Sequence, residues 1–282
     1  MRNNISKRRR ERKSLLLCSV LPGAAIQRIR ESGRRAVMKA RKKLFPKRWS
    51  AGFCLILSLI SLLATACSAP TGKDSPSYIY LIRHGRTYSN EQGLLVGRGG
   101  NYDLTKEAAA SAKEVGETLH EEGVEFDQAY SSTLGRAYDT AEYILEGAKE
   151  QDLKVDQMAE LDDISWGDAE GYTQEEFMEK YDLDTFPDAF GSADDPNFVS
   201  PIHAESKYDF CQRFSKGMDE IIADAEEGTD VLVVAHSSMQ YWLEQEFPEL
   251  QGQSIDNLGV TVLRVADDDI ELVEYNNTVT AE

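Results

Sequence analysis

Cysteine is scarce in this sequence, and most of it lies near the start. Of four cysteines in 282 residues, Cys18, Cys54 and Cys67 fall within the first 67 positions, and Cys211 stands alone beyond them. A single cysteine cannot form an internal disulfide bond, even in an oxidising compartment. The sequence after Cys67 therefore excludes a disulfide framework, and its fold must depend on a hydrophobic core.

Positive charge is equally scarce after residue 66. Residues 1–66 carry 17 basic and 2 acidic side chains, whereas residues 67–282 carry 14 basic and 47 acidic ones. Such an acidic surface repels polyanions, so we expect no nucleic-acid partner, and an anionic substrate would need a local cationic pocket. Apolar residues make up 41% of the chain, and the acidic part is long enough to bury one sizeable core.

The longest uncharged apolar run covers residues 51–66 (AGFCLILSLISLLATA) and follows six basic residues within positions 39–48. It is shorter than the roughly 20 residues that a membrane-spanning helix needs. A basic segment, an apolar segment and small residues before a junction predict a secretory signal. Leu63-Ala64-Thr65-Ala66-Cys67 resembles a bacterial lipoprotein box. The resemblance implies cleavage before Cys67 and lipidation of its thiol.

We therefore expect three segments. Residues 1–66 are a basic leader and lipoprotein signal peptide, residues 67–77 a lipidated tether, and residues 78–282 the folded domain. The membrane is then a partner through the lipid anchor, and the protein lies on the extracytoplasmic side of a bacterial cell membrane. An uncleaved signal anchor is the alternative, and it places the domain on the same side. Because residues 1–37 make the basic segment too long, we expect translation to begin at Met38.

From residue 78 onward, short apolar runs alternate with amphipathic segments. Residues 78–82 (YIYLI) and 231–235 (VLVVA) are typical of strands buried on both faces, residues 126–130 form another strand, and residues 260–265 and 270–275 form a hairpin. Three apolar stripes predict helices, the first capped by Thr105. The stripes are Ala108, Ala112, Val115 and Leu119; Ala137, Ala141, Ile144 and Ala148; and Phe210, Phe214, Met218 and Ile221. This alternation predicts an α/β fold, a three-layer α/β/α sandwich with a mostly parallel central sheet.

Ligands of such sheets bind at the carboxyl ends of the strands. Arg83 and His84 follow the first strand, His236 follows a later one, and Arg136 lies at the start of the helix that follows residues 126–130. A lone histidine or arginine at these places would be a structural or solvated residue. Two histidines and two arginines together favour a functional site at this edge of the sheet.

The chain resembles the histidine phosphatase superfamily, in its phosphoglycerate-mutase-like branch, from about residue 78 to residue 277. Five motifs carry the resemblance in order along the sequence. They are RHGxT with a following asparagine (Arg83, His84, Gly85, Thr87, Asn90), LT before a helix (Leu104, Thr105), SSxLxRAxxTA (131–141), LxExxxGxxEG in the form LDDISWGDAEG (161–171), and a strand that ends in His236.

The resemblance implies the fold predicted above and a role for each matching residue. His84 attacks phosphorus and becomes a phosphohistidine. The phosphoryl group is bound by Arg83, Arg136 and a protonated His236, with Thr87 and Asn90 as further phosphate contacts. Asp163 donates a proton to the leaving oxygen, and residues 78–282 become a catalytic domain for a small phosphorylated substrate. No metal or other cofactor is required.

Three positions depart from the family pattern. Asp163 is one methylene shorter than the usual glutamate, Val96 replaces a polar residue that contacts phosphate, and Ser237-Ser238 replaces a glycine after His236. We expect an altered leaving-group preference, one lost phosphate contact, and serine hydroxyls that enter the pocket.

Several assignments remain open in the sequence. Asp162, Asp168 or Glu170 could be the proton donor instead of Asp163. His203, Arg86 and Arg98 are either pocket residues or surface residues. The acidic stretch 182–195, with its phenylalanines, is either a solvated loop or a cover over the site.

Two classes of function fit these observations. The first is an enzyme: a metal-independent phosphomonoesterase or, as the runner-up, a phosphotransferase of the phosphoglycerate mutase type. The second is a surface lipoprotein that binds a phosphorylated ligand without turnover. We favour the phosphomonoesterase, because the catalytic set is complete and an export signal would remove the protein from cytosolic mutase substrates.

Overall fold

The computed structural model describes residues 76–266 and 269–278. Its strands are β1 (Ser77–Arg83), β2 (Phe126–Ser131), β3 (Val155–Gln157), β4 (Asp230–Ala235), β5 (Val260–Ala266) and β6 (Asp269–Asn277). These six strands form one sheet in the order β3-β2-β4-β1-β5-β6. The pairs β1–β4, β2–β4 and β2–β3 are parallel, and β5 joins β1 and β6 in antiparallel fashion. The predicted mostly parallel sheet and the terminal hairpin are confirmed.

The first strand begins at Ser77, one residue before the predicted boundary. Ser77 pairs with Val265 in the sheet, and its hydroxyl donates to the carbonyl of Glu226 (2.6 Å). The predicted leader, Cys67 and most of the tether lie outside the described residues. Within the described part of the chain, no helix is both long and apolar enough to cross a membrane.

The helices in the described part are α1 (Tyr88–Gln92), α2 (Lys106–Glu121), α3 (Gly135–Ala148), α4 (Gln174–Lys180), α5 (Lys207–Asp224) and α6 (Met239–Glu246). Thr105 caps α2 as predicted, because its hydroxyl accepts a hydrogen bond from the Ala108 N–H (3.1 Å). All three predicted apolar stripes are buried. Short 3-10 turns cover Ala159–Leu161, Gly167–Ala169 and Pro248–Leu250.

The two faces of the sheet are covered by separate apolar clusters, which confirms the three-layer arrangement. One cluster joins Leu81 and Val233 in the sheet to the buried faces of α5 and α6. The other joins Ile82 and Val234 to the buried faces of α2 and α3. Alternate residues of β1 and β4 therefore point to opposite faces, as the pleat of a strand requires.

Helices α2 and α3 approach each other closely through two glycines. A Cβ atom on Gly116 would lie 1.9 Å from the carbonyl oxygen of Ile144, and one on Gly147 would lie 2.0 Å from that of Lys113. Both contacts are with backbone and leave no room for a side chain.

The strand register determines where the predicted site residues lie. Arg83 pairs with Ala235 in the parallel β1–β4 ladder, and Ser131 pairs with Val234 in β2–β4. Three adjacent strands therefore end at the same edge of the sheet. The segments that carry His84, His236 and Arg136 begin there.

Candidate active site

His84 follows β1 and is almost fully buried, with 3% of its surface exposed. Its backbone N–H donates to the carbonyl of Ala235 (2.9 Å), and its own carbonyl accepts from Asn257 Nδ2 (2.9 Å). Its Nδ1 donates to the carbonyl of Gly85 (2.7 Å). Because a neutral imidazole carries one proton, this bond leaves the lone pair on Nε2. Burial, followed by the charges of Arg136 and Arg83, lowers the pKa of His84 well below its usual value and keeps the ring neutral.

The ring of His236 lies beside that of His84, with 5.1 Å between their centroids. Its Nε2 is bonded to Ser132 Oγ (2.7 Å), and its Nδ1 lies 3.6 Å from Asp163 Oδ2, too far for a hydrogen bond. Burial, Arg136 and His84 lower the pKa of His236 well below its usual value. These influences favour a neutral His236 in the protein alone, and its protonation beside a bound phosphate stays a prediction. A phosphate dianion would act in the opposite direction.

Arg136, the second residue of α3, is also buried. Its Nη1 donates to the carbonyl of Gly100 (2.9 Å), and its Nη2 donates to the carbonyl of Gly97 (3.1 Å) and to Asp163 Oδ2 (3.1 Å). These contacts fix the guanidinium in the pocket, where it supplies positive charge without rearrangement.

The Arg83 side chain, at the end of β1, makes one hydrogen bond to the described residues. Its Nη1 donates to the carbonyl of Ile255 (2.7 Å). Its Nε is buried and has no hydrogen-bond partner among the described residues. A buried donor without a partner is costly, so this N–H is suited to an oxygen of a bound anion.

Asp163 is the acidic residue that joins this cluster. It is 6% exposed, and its carboxylate accepts hydrogen bonds from Arg136, from Ser238 Oγ (2.6 Å) and from the Ile164 N–H (3.0 Å). Burial raises the pKa of Asp163, and the contacts with Arg136, Ser238 and Ile164 oppose that rise. A raised pKa suits a carboxyl group that must give and take a proton.

The three other acids considered as donors have different partners. Asp162 accepts from the Thr133 N–H (2.8 Å) and hydroxyl (2.7 Å). Asp168 is exposed and pairs with His203 (2.7 Å). Glu170 accepts from the backbone N–H groups of Gly97, Gly99 and Trp166. The geometry therefore favours Asp163.

Thr87 and Asn90 form a capping box at the start of α1. The Asn90 side chain accepts from the Thr87 N–H (3.1 Å), and the Thr87 hydroxyl accepts from the Asn90 N–H (3.2 Å) and contacts Ser89 Oγ (2.8 Å). Neither residue makes a hydrogen bond to the histidine and arginine cluster. Their role as phosphate contacts stays a prediction.

The remaining candidates have different surroundings. The His203 side chain is 82% exposed, so it is a surface loop residue. Arg98 forms long ion pairs with Asp162 (3.7 Å) and Glu205 (3.9 Å). Arg86 lines a separate groove beside α2, of about 360 Å³. The predicted entry of a serine hydroxyl after His236 holds for Ser238.

The acidic stretch 182–195 is anchored by aromatic side chains and is not a freely solvated loop. Phe190 packs on Trp166 with 4.6 Å between ring centroids, and Phe186 packs on Trp166 (6.2 Å) and Phe177 (5.6 Å). These contacts attach the stretch to the apolar cluster under α5 and α6.

Arg213 is a residue that the sequence did not single out. Its guanidinium donates to the carbonyls of Glu160 (2.9 Å), Asp162 (2.8 Å) and Asp163 (3.3 Å), and it pairs with Glu205 (2.8 Å). It therefore fixes the backbone that presents Asp163. Since its partners are mostly backbone carbonyls, no motif in the sequence marks the contact.

These residues form a largely buried cluster of two arginines, two neutral histidines and a carboxyl group at the carboxyl ends of parallel strands. The family model of the histidine phosphatase superfamily (branch 1) matches residues 79–278. The chain therefore belongs to the histidine phosphatase superfamily, a family of phosphatases and mutases.

Sequence relatives include two enzymes called 2,3-bisphosphoglycerate-dependent phosphoglycerate mutase. The one from Bartonella tribocorum is 38% identical over 103 residues, which are 36% of this chain and half of that protein. The one from Parvibaculum lavamentivorans is 26% identical over 186 residues, which are 66% of this chain and 86% of that protein.

Solved structures with the same fold include both kinds of enzyme. A phosphoglycerate mutase from Bacillus anthracis has a TM-score of 0.62 at 22% identity, over 73% of this chain and 95% of that one. An alpha-ribazole phosphatase from Shigella flexneri has a TM-score of 0.59 at 21% identity, over 71% of this chain and 96% of that one.

Proposed function

We propose that this protein is a metal-independent phosphomonoesterase that works through a phosphohistidine at His84. The observation that carries the proposal is the hydrogen bond from His84 Nδ1 to the Gly85 carbonyl (2.7 Å) beside two buried or half-buried arginines. It leaves Nε2 unprotonated and surrounded by positive charge. A neutral imidazole next to cations is suited to attack a bound phosphate monoester.

The reaction follows in two steps. In the first, the Nε2 lone pair of His84 bonds to phosphorus while the bond from phosphorus to the ester oxygen breaks, and Asp163 gives its proton to that oxygen. In the second, the Asp163 carboxylate takes a proton from water, whose oxygen attacks phosphorus and releases His84. Arg83 and Arg136 neutralise charge on the phosphoryl oxygens in both steps.

A phosphoglycerate mutase is the second candidate, and the relatives from Bartonella and Parvibaculum favour it. A mutase must also bind the carboxylate of its substrate. Among the described residues, the nearby cations Arg98 and Arg213 already pair with carboxylates. The predicted export signal also separates the protein from cytosolic phosphoglycerates. The ion pairs of these arginines and the predicted export signal both support the proposal of a phosphomonoesterase.

The purified chain in EDTA distinguishes the two activities. We expect hydrolysis of p-nitrophenyl phosphate and of alkyl phosphates, with release of inorganic phosphate. We expect little interconversion of 2- and 3-phosphoglycerate when the enzyme is primed with 2,3-bisphosphoglycerate. Fast interconversion with little release of phosphate would favour the mutase, and loss of hydrolysis in EDTA would contradict a metal-independent mechanism.

We also propose that the enzyme is held at the outer face of a bacterial cell membrane by a lipid on Cys67. Two or three acyl chains, at about 0.8 kcal/mol per buried CH₂, give stable attachment, whereas one chain does not. The proposal depends on the residues before the junction at Cys67, which resemble a lipoprotein box.

Substitution Cys67→Ala tests the anchor. Mass spectrometry of the wild-type membrane fraction should show an N-terminus at acylated Cys67, and Cys67→Ala should remove the acylation. Cys211, a buried thiol whose pKa burial raises to about 12, is the matched control, and Cys211→Ala should leave acylation unchanged. Recovery of wild type as a cytoplasmic protein that retains residues 38–66 would refute the anchor.

A further inference from the structure

Ser238 occupies the N-cap position of α6, but it does not cap the helix. A serine at this position normally accepts a hydrogen bond from an N–H of the first helical turn. The Ser238 side chain makes no such bond, and its backbone has helical angles (φ −60°, ψ −19°). By contrast, Ser206 at the start of α5 accepts from the Asp209 N–H (3.0 Å). The Ser238 hydroxyl therefore bonds to a group outside its own helix.

The hydroxyl donates to Asp163 instead. Ser238 Oγ lies 2.6 Å from Asp163 Oδ1, and both residues are buried. The Ile164 N–H donates to the same oxygen (3.0 Å). A carboxylate oxygen accepts about two hydrogen bonds in the carboxyl plane, so Oδ1 is fully occupied by two neutral donors.

The other oxygen of Asp163 faces the phosphate-binding groups. Oδ2 accepts one hydrogen bond from Arg136 Nη2 (3.1 Å) and lies 3.6 Å from His236 Nδ1. It retains one lone pair. When Asp163 takes up a proton, that proton therefore goes to Oδ2, on the side of the pocket where the arginine and histidine meet.

We propose that Ser238 is a positioning residue for the proton donor. Its hydroxyl holds Asp163 so that Oδ2 carries the proton and faces the leaving oxygen, and it stabilises the carboxylate that remains after proton transfer. This role rests on the proposed phosphomonoesterase function. It deepens that function by assigning a task to a residue whose type departs from the family pattern.

The chemistry explains why the contact matters to the reaction. As the bond from phosphorus to the ester oxygen breaks, the proton on Oδ2 moves to that oxygen and Asp163 becomes charged. A hydrogen bond to a charged acceptor is stronger than one to a neutral acceptor, so the Ser238 bond strengthens as the proton leaves. In the second step the same carboxylate, still held at Oδ1, receives a proton from water at Oδ2.

The Ser238 bond is one of several influences on the titration of Asp163. The other titratable and charged groups around it are Arg136 from α3, His236 after β4, Arg83 at the end of β1, Arg213 from α5 and Tyr241 from α6. Ser238→Ala removes none of these. Because the lost hydrogen bond favours the charged form, its removal moves the pKa of Asp163 upward.

The first readout is the titration itself. In protein labelled with ¹³C at the aspartate carboxyl carbons, Asp163→Asn identifies the Asp163 signal. Its midpoint should rise by about one pH unit in Ser238→Ala, the usual effect of a hydrogen bond to a charged group. Ser238→Thr keeps the hydroxyl and should titrate like wild type.

The second readout is catalytic. For an alkyl phosphate, Ser238→Ala should lower kcat/KM about tenfold at its optimum and move the alkaline limb of the pH profile upward, because the free enzyme must be protonated at Asp163. For p-nitrophenyl phosphate, kcat/KM should change less than about twofold, because nitrophenolate leaves without a proton. The phosphate group titrates in both substrates, so the pH profile with the aryl ester controls for that titration.

Ser206→Ala is the matched control variant. It removes an N-cap that does bond to its helix, so we expect a lower Tm, while the Asp163 titration and the leaving-group dependence stay as in wild type. An active wild type with an unchanged Asp163 titration in Ser238→Ala would overturn the role of Ser238 alone, as would equal losses on both substrates. An inactive wild type whose Asp163 titration still responds to Ser238 would overturn the proposed function and the catalytic role together.

Discussion

Substitution of His84 by alanine should lower kcat for every phosphate ester by about 10⁴-fold or more, with the fold intact. Loss of a covalent nucleophile removes the first step of the reaction, and losses of this order are usual when a nucleophile is deleted. The bond from Nδ1 to Gly85 and the depressed pKa of His84 suit this ring to the role of nucleophile, because they keep Nε2 unprotonated. Steady-state kinetics in EDTA and a thermal melt of the variant measure both properties.

A trapped intermediate tests the same residue directly. Wild-type protein quenched during turnover of a ³²P-labelled ester should retain label that is lost in acid and kept in alkali, as expected of a phosphohistidine. His84→Ala should retain none. His203→Ala is the matched histidine control, since that side chain is exposed in a surface loop, and it should keep both activity and label. Label that survives acid but not alkali would contradict the mechanism.

The second large effect should come from Asp163→Asn, and it should depend on the substrate. Hydrolysis of alkyl phosphates such as glycerol phosphate should slow by roughly 10²–10⁴, the usual contribution of general acid catalysis. Aryl phosphates should lose much less, because the need for a proton falls as the leaving group becomes more acidic. A plot of log kcat/KM against leaving-group pKa should therefore be steeper for the variant than for wild type.

Arg136 and Asp168 provide the contrasts for this experiment. Arg136→Lys should impair both alkyl and aryl esters, with a larger loss on aryl esters than Asp163→Asn causes, because it withdraws the paired donors that stabilise phosphoryl charge. Asp168→Asn alters an exposed carboxylate that pairs with His203, so it should leave the slope of log kcat/KM against leaving-group pKa unchanged. Equal, small losses on both substrate classes for Asp163→Asn would refute its assignment as the proton donor. A steeper dependence of log kcat/KM on leaving-group pKa for Asp168→Asn would assign that role to Asp168.

The fold was predictable because its signals are local. The runs YIYLI and VLVVA correspond to the central strands β1 and β4, and the three apolar stripes correspond to the buried faces of α2, α3 and α5. The short α4 was not predicted, since its seven residues bury only Phe177 and form no readable stripe. The stretch 182–195 was ambiguous, because its charge indicates solvent while its phenylalanines pack on Trp166.

The site was predictable only as a set of residue types at strand ends. The sequence places His84, His236 and Arg136 correctly, because parallel strands bring their carboxyl ends together. It does not show which oxygen of Asp163 meets Ser238, 75 residues away, or that Arg213 bonds to the backbone around Asp163. The resemblance implies a protonated His236, whereas burial, Arg136 and His84 lower its pKa in the protein alone. Such contacts arise from the tertiary fold and leave no local pattern.

The close contact between α2 and α3 at their glycines couples the position of α3 to the position of Arg136 in the active site. Gly147 and Arg136 are eleven residues apart on one helix, or about 16 Å along its axis. A methyl group at Gly147 would push the C-terminal end of α3 away from the Lys113 carbonyl, and we expect the helix axis to tilt. Arg136 would then move relative to His84 although nothing in the pocket had changed. We therefore expect that packing between α2 and α3, away from His84, affects the rate of turnover through the position of Arg136.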